Sequence, residues 1–487
     1  MSGSLKYSDS QVDAYVSIMK SYGGVPPLRD KLSSCMNVSD RTSVFMDYLC
    51  SLGSQCFRWF GVCGRRQSYG GVLDGVYCFD GRMWSQVDGV KFKISLKAFC
   101  TGVLGMSSQE WLRGSSSFIE SVREGSMLSP LRVSKSVVGF ANGVYDFSVP
   151  SSVVYHPFSE KLDVVTLMDY SYDERARCPL WCSFLGSILD KRQVLLLQKF
   201  LGLGMVDRES MSAKVENALW LVGPGGAGKS TIMNVVKYVY GDDNISSVPL
   251  GSLLSGGGEN RARFLASVVG KVFNYCGEVQ MEDMTRYGDA FKSLCSGESQ
   301  QVRRIGGNVE ERSDIPYLIF NMNRKPRSRN IDTAITRRLL FVTFRTAIRE
   351  EDRDPELESR LKSEAAGIRN WMLDGYRQFV ADGYKLEATK ASVDETDEWM
   401  LENGQTVELF MRKHGGRPYA YTGHSESSKW FPVKILYDRY EKWCEKWGYE
   451  KDVDLNGMGR ELRRIGYQSK RRSDGMSYQV YGGDNIV

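Results

Sequence analysis

The chain has 487 residues, of which 42% are hydrophobic and 25% charged, with a formal net charge of +5. That length is too great for one ordinary core, the composition is that of a globular protein, and the slight positive balance permits a nucleic-acid partner without arguing for one. No run of about twenty uncharged apolar residues appears, so no membrane span is expected. The start MSGSLKYSDSQVD has neither the basic nor the apolar part of a signal peptide, and eleven irregularly spaced cysteines without a CxxC pair suit free thiols in a reducing, cytoplasmic setting.

Residues 1–170 read as an N-terminal α+β domain rich in Ser, Gly and aromatic residues. Two hairpins are predicted here, in GVYCFDGRMWSQV turning at Asp80-Gly81 and in VVGFANGVYDF turning at Asn142-Gly143. No D-x-D carboxylate pair occurs in this part, which weighs against nucleotide polymerisation by this chain. Residues 171–215 turn helical, with CPLWCSFLGSIL and KRQVLLLQKFLGLGMV, and read as a helical collar.

Next comes LVGPGGAGKST, in which an apolar strand-like run, NALWLV, leads in and a helically spaced run, STIMNVVKYVYG, leads out. Gly223, Gly228, Lys229 and Ser230 fill the places of G-x-x-x-x-G-K-[ST]. A strand, a glycine-rich turn and a helix N-terminus surround a phosphate chain with backbone N–H groups. ATP would therefore lie along Gly223, Pro224, Gly225, Gly226, Ala227, Gly228, Lys229, Ser230 and Thr231. Lys229 is expected to reach the β- and γ-phosphates and Ser230 to hold Mg²⁺.

Residues 216–385 alternate strand and helix signals, as an α/β parallel-sheet P-loop ATPase domain should. GKVFNYCGEVQ reads as a strand ending in Glu278, placed to activate the attacking water and steady the metal. QQVRR-IGGN-VEERS reads as a hairpin with Arg303 and Arg304 beside a glycine turn. The strand PYLIF ends in Asn321 and Asn323, where an amide can sense the γ-phosphate and orient water. TAITRRLLFVTF supplies Arg337 and Arg338 before another buried strand, as candidates to reach a neighbouring subunit's γ-phosphate. Further on, Leu361, Ala365, Ile368, Met372, Tyr376 and Phe379 share one helical face and read as core.

The polar stretch EATKASVDETDEW leads to a last domain, residues 386–487. Leu436, Tyr440, Trp443 and Trp447 are predicted to line one helix, Met458, Leu462 and Ile465 a second, and a hairpin to turn at Asp474-Gly475. Two helices followed by a hairpin suggest a winged-helix-like domain, with Arg460, Arg463, Arg464, Lys470, Arg471 and Arg472 on the elements such a fold turns to DNA.

In the order of these motifs the chain resembles the superfamily 3 helicases, in their poxvirus-type and phage primase-helicase branch. The resemblance rests on GPGGAGKST, on the strand ending at Glu278, on FKSLCSGESQQVRR with Lys292, and on YLIFNMNRKP with Asn323. It extends to VGFANGVYDF and EAAGIRNWMLDG and leaves residues 1–70 uncovered. It implies an AAA+-like core, a homo-hexameric ring with ATP between subunits, and single-stranded or forked duplex DNA as partner. The hairpin before the fourth motif would then grip the strand, placing Lys292, Arg303 and Arg304 with Arg463, Arg464 and Arg471 among the DNA contacts. Gly277 stands where the family usually has an acidic neighbour of Glu278, so metal coordination would rest on Ser230, Glu278 and water. Branch relatives often carry a primase that this chain lacks, so primer synthesis would fall to a separate primase or polymerase. The leading expectation is an ATP-dependent replicative helicase of a virus, phage or mobile element. The alternatives are an origin-binding initiator that uses ATP to assemble and melt DNA, and a small-molecule phosphotransferase, for which no substrate lid is evident.

Overall fold

The computed structural model describes residues 10–22, 28, 31–35, 37–59, 75–254, 258–277, 286–303, 309–323, 325, 333–414, 428–473 and 475–481. The N-terminal part packs helices α1 (Ser10–Tyr22), α2 (Val38–Cys56), α3 (Gly89–Gly102) and α4 (Ser108–Met127) with the antiparallel strands β1 (Phe57–Trp59), β2 (Val76–Phe79) and β3 (Trp84–Gln86). Its core, including Phe45, Phe57, Phe92, Phe99 and Phe118, is a hydrophobic cluster of its own. α4 starts on a reciprocal cap, in which the Ser107 hydroxyl accepts from the Glu110 N–H and the Glu110 carboxylate accepts from the Ser107 N–H.

A second antiparallel sheet follows, of β4 (Val137–Phe140), β5 (Gly143–Asp146) and β6 (Val154–His156). Its apolar side joins a different core, with Phe140 and Phe147 buried beside α5 (Pro179–Ile188) and α6 (Lys191–Gly202). The expected turn is displaced by one residue: Phe140 pairs with Gly143, so Ala141 and Asn142 form the turn and Gly143 begins the strand. Asn142 is held there by Tyr172, whose N–H its side-chain oxygen accepts at 3.0 Å. In the first hairpin Phe79 pairs with Trp84, so a four-residue loop from Asp80 to Met83 includes the predicted pair.

At the centre lies a five-stranded parallel sheet in the order β13-β7-β12-β9-β8. These strands are β7 (Ala218–Val222), β8 (Ile245–Ser246), β9 (Phe273–Cys276), β12 (Tyr317–Met322) and β13 (Leu339–Thr343). Every residue of β7, β9 and β12 is buried, as near-continuous apolar runs in a parallel sheet require. The two-residue period divides them between faces: Leu219 and Leu221 pack into one core with α7 (Lys229–Tyr240), while Ala218, Trp220 and Val222 pack into another. The short helices α8 (Leu250–Leu254), α9 (Gly258–Val268) and α10 (Gly288–Cys295), with the hairpin β10 (Gln300–Arg303) and β11 (Val309–Arg312), connect these strands. The one-turn helix α11 (Thr333–Thr336) precedes β13.

The predicted core face after the sheet is buried throughout, but it is divided between α12 (Leu357–Ser363) and α13 (Ala365–Ala381). Glu364, at the break, accepts the Leu180 and Trp181 N–H groups at 3.1 and 2.9 Å and so caps the collar helix α5. The polar stretch beyond is α14 (Lys390–Glu402), which lies along the sheet's edge. There Ser392 Oγ accepts from the Phe341 N–H and Gln193 Oε1 from the Thr343 N–H, satisfying the outer donors of β13.

The last part is built from α15 (Thr406–Lys413), β14 (Ser428–Pro432), α16 (Val433–Trp447), α17 (Leu455–Ile465), β15 (Ser469–Arg472) and β16 (Gly475–Tyr481). Its antiparallel sheet has the order β14-β16-β15. Leu436, Tyr440 and Trp443 are buried as expected, whereas Trp447 is 59% exposed because α16 ends there and Gly448 turns the chain away in the left-handed region. Arg472 pairs with Gly475, so Gly475 begins the returning strand; Asp474, the other half of the predicted turn, lies outside the described residues. No helix among the described residues is long and apolar enough to cross a membrane.

Candidate functional site

The glycine-rich loop leaves the carboxyl end of β7, and β12 on one side and β13 on the other hold it there. Gly223 adopts φ +149°, and a Cβ on it would lie 2.3 Å from the Phe344 carbonyl oxygen, so the first glycine is fixed by the close passage of the chain leaving β13. Gly228 takes φ +90° immediately before α7, which leaves the helix's first N–H groups facing the loop. A further crossing holds the loop's middle, where the Ile348 N–H donates to the Gly226 carbonyl at 3.1 Å.

Lys229 is buried at 4% exposure in the first turn of α7. Its Nζ donates to the carbonyls of Gly223 and Pro224 at 2.6 and 2.7 Å and lies 3.4 Å from Asn323 Oδ1. Burial pulls this ammonium below the ordinary lysine value. Asn323 comes one residue after Met322, which pairs with Val222, and is therefore level with Gly223 at the loop's mouth. Ser230 and the backbone of Pro224, Gly225 and Gly226 are exposed, while Ala227 and Gly228 are buried against the collar, where Phe184 and Ile188 flank Gly228. Thr231 is half-buried. The structure thus gathers the loop, Lys229 and Asn323 at one edge of the sheet.

Glu278, the predicted base, lies outside the described residues, two positions after β9 ends at Cys276. Gly277 leaves open space, since a Cβ there would meet nothing within 4 Å. Near the loop on α7, β9 and β12 the described oxygens that suit magnesium include the uncharged Ser230 Oγ, the Tyr275 hydroxyl and the Asn321 amide, whose Nδ2 lies 3.3 Å from that hydroxyl and whose buried Oδ1 has no partner among the described residues. Hard oxygen donors fit Mg²⁺, whose charge the nucleotide's phosphates would balance.

Arg337 and Arg338 sit at the opposite edge. The Ala218 N–H donates to the Arg338 carbonyl, so both arginines lie at the start of the strands, about 17 Å of extended chain from the loop. Their surroundings differ. Arg338 is 5% exposed, and its terminal nitrogens donate to the Ala334 carbonyl and the Ser296 hydroxyl, both at 2.8 Å, with Glu216 at 3.2 Å. The Arg337 side chain is 54% exposed and meets Glu216 at 3.0 Å.

Lys292 pairs with Asp289 at 2.8 Å on α10, and Arg303, at the end of β10, pairs with Glu259 of α9 at 2.9 Å. Arg304 lies outside the described residues. Arg460, Arg463, Arg464, Lys470, Arg471 and Arg472 are all exposed on α17 and β15. Arg463 donates to the Tyr478 hydroxyl at 3.0 Å, Arg464 pairs with Glu461 at 2.6 Å, and Arg472 lies 5.2 Å over the Trp430 ring.

Tyr275 and Arg353 at the loop escaped the sequence reading, whereas Asn321 was named there with Asn323 as a strand-tip amide. Tyr275 stands on β9, and its signal was a polar group within an apolar, fully buried strand. Arg353 carries no signal in sequence. Its Nη2 lies 2.6 Å from where a Gly226 Cβ would be, so an exposed guanidinium rests against the loop.

Residues 221–338, from the end of β7 to the start of β13, match a family of unknown function (DUF5906). Among solved structures, the A form apo structure of the NrS-1 C-terminal region is 12% identical, with 71% of this chain and 96% of that one covered and a TM-score of 0.38. A second apo structure of the same region is 14% identical, covering 71% and 95%, with a TM-score of 0.35.

Proposed function

We infer that this chain is an ATP-driven DNA helicase of the superfamily 3 type, working as a ring on single-stranded DNA during replication of a virus, phage or mobile element. The observation that carries the reading is the setting of Lys229, a buried ammonium that among the described residues is held by carbonyl-type oxygens alone at the mouth of a glycine loop. Phosphate oxygens are stronger partners for that cation than neutral carbonyls, so ATP would take their place on Lys229 while the loop's N–H groups bind the same phosphates. Magnesium, bound with ATP, would neutralise charge on the β- and γ-phosphate oxygens. Asn323 would orient the attacking water, and Glu278 would take its proton.

Arg337 is too far from its own loop to act there, and its exposure suits contact with the nucleotide of an adjacent subunit, where it would stabilise charge in the transition state. β12 leads into Asn323 at one edge of the sheet and is preceded by the β10–β11 hairpin at the other. Nucleotide state would thus move the hairpin, where Arg303 and Arg304 would hold DNA phosphates. The ion pair of Arg303 with Glu259 is partly exposed and therefore weak, so DNA can displace it.

The helix, strand, two helices and two strands of residues 406–481, with sheet order β14-β16-β15, support a winged helix. Its β15 is exposed along its whole length and carries Lys470, Arg471 and Arg472. This basic strand also favours the second reading, an initiator that binds duplex origin DNA.

The deciding experiment measures phosphate release from ATP with and without single-stranded DNA, together with unwinding of a forked duplex. A helicase is stimulated several-fold by the single strand and separates the fork. An initiator binds duplex DNA and melts it locally without processive unwinding, and hydrolysis indifferent to any DNA would overturn both readings.

A further inference from the structure

We propose that Tyr275 and Asn321 support the uncharged side of the seat for the nucleotide's magnesium ion beside Ser230, in which Asn321 Oδ1 accepts a hydrogen bond from water on the ion and the Tyr275 hydroxyl acts on the Ser230 hydroxyl. The proposal rests on the reading of the glycine loop as an ATP site. It begins from an unsatisfied atom. Asn321 is 8% exposed, and its Nδ2 lies 3.3 Å from the Tyr275 hydroxyl, but its Oδ1 is fully buried and has no partner among the described residues. Leaving a buried amide oxygen unpaired is costly, and a bound water or ion is one way to satisfy it.

The position of the orphan gives it a task. Asn321 pairs across the sheet with Leu221, two residues before the loop's first glycine. It shares a strand face with Ile319, which is buried in the core beneath α7, and Tyr275 enters that core from β9. The Tyr275 hydroxyl accepts from Asn321 Nδ2 at 3.3 Å, and Ser230, the second residue of α7, is the other side chain that acts on it. A serine hydroxyl has one proton and two lone pairs. When its proton points to the phenol oxygen, its lone pairs face the open side of the loop, where a metal would need them.

Magnesium prefers hard oxygen ligands and retains several waters, each of which needs an acceptor. A carboxylate usually serves, and Glu278, the candidate for that part, lies outside the described residues. An amide oxygen presented from a rigid central strand can take one of those water protons without adding charge. Tyr275 and Asn321 are positioning residues here: they touch Ser230 and the ion's water, not the reacting phosphate.

The test is calorimetric binding of ATPγS to the full chain, with magnesium and with excess EDTA, for the wild type, Tyr275→Phe, Asn321→Ala and Asn321→Asp. Tyr275→Phe removes one oxygen and keeps the buried ring, so it reports even where Asn321→Ala weakens folding. The wild type should bind more tightly with magnesium. Tyr275→Phe and Asn321→Ala should keep the magnesium-free affinity and lose about tenfold of the gain that magnesium brings, the scale of one hydrogen bond to a charged group. Asn321→Asp should keep or enlarge that gain, since a carboxylate binds the ion's water more strongly. An unchanged magnesium gain in both Tyr275→Phe and Asn321→Ala overturns the proposal and leaves the ATP site standing, as does an equal loss with and without magnesium. Failure of the wild type to bind ATPγS under either condition would overturn the ATP site itself, and the magnesium seat with it.

Discussion

The two edges of the central parallel sheet treat their polar groups in opposite ways. At the amino edge, Arg338 is buried but tied to a carbonyl, a hydroxyl and the Glu216 carboxylate, and Ser296 bonds both Arg338 and Glu216. At the carboxyl edge, among the described residues, Lys229 has only neutral oxygens around it and Asn321 Oδ1 has no partner. A buried cation held by a carboxylate, a hydroxyl and a carbonyl is what a stable interior requires, although Arg338 Nε too has no partner among the described residues. The second arrangement leaves the Lys229 cation without a carboxylate among the described residues.

The largest effect expected is at the carboxyl edge. Lys229→Ala should abolish ATP hydrolysis while leaving the thermal unfolding transition in place, because it removes a cation that the fold does not use as a structural pair. Arg337→Ala should lose most hydrolysis as well, and mixing the two variants should restore part of it if Arg337 acts on a neighbour's nucleotide. Mixed assemblies, verified as mixed, that remain inactive would remove Arg337 from the mechanism. Detection of full turnover in folded Lys229→Ala would erase the distinction between the two edges.

Arg338 tests the amino edge, with a smaller effect of another kind. Arg338→Ala should lower the unfolding free energy by about 2 kcal/mol or more, because Ser296 and Glu216 lose a buried partner. Arg337→Ala should cost well under about 1 kcal/mol, as exposed pairs do. Denaturant melts of the two variants measure the contrast directly. Equal losses would mean that Arg337 also serves as an anchor.

How much of this contrast was legible in the sequence depended on whether the signal was local. The loop, with Lys229, could be read because its glycines, lysine and serine are consecutive and both flanks carry a period. The hairpin position at Asn142-Gly143 came out one residue late. There, as at Gly475, glycine begins the returning strand, and side-chain or cross-strand pairing fixes the register from outside the turn. Arg337 and Arg338 are chemically identical neighbours in sequence. Only burial separates them, and burial is decided by α10, through Ser296 just beyond its end, and by Glu216 just ahead of β7. Arg353 reaches the loop through the fold of the chain after β13, which no local pattern encodes. The inward glutamate cap at Glu364 is likewise tertiary, since it joins two helices far apart in the chain.

The smallest effect, and the finest test of the amino edge, is the acid response of Glu216. Burial alone would push this carboxyl up, but the Ser296 hydroxyl and the cations of Arg338, Arg337 and Lys214 hold it below the ordinary glutamate value. A carboxyl lowered in the folded state binds fewer protons there than in the unfolded chain. Its contribution to stability is therefore complete above the ordinary value of about 4.3 and is lost as pH falls through the lower folded value. Glu216→Gln removes that contribution at every pH. At pH 7 the variant should be less stable than the wild type by on the order of 1 kcal/mol, since the carboxylate is partly exposed and its pairs are screened. On acidification the wild type should lose its advantage, and urea melts of the two proteins should converge below about pH 4. A gap that stays constant from pH 7 to acid would mean that Glu216 acts through its shape and neutral hydrogen bonds, and the amino edge would then be held by packing and not by charge.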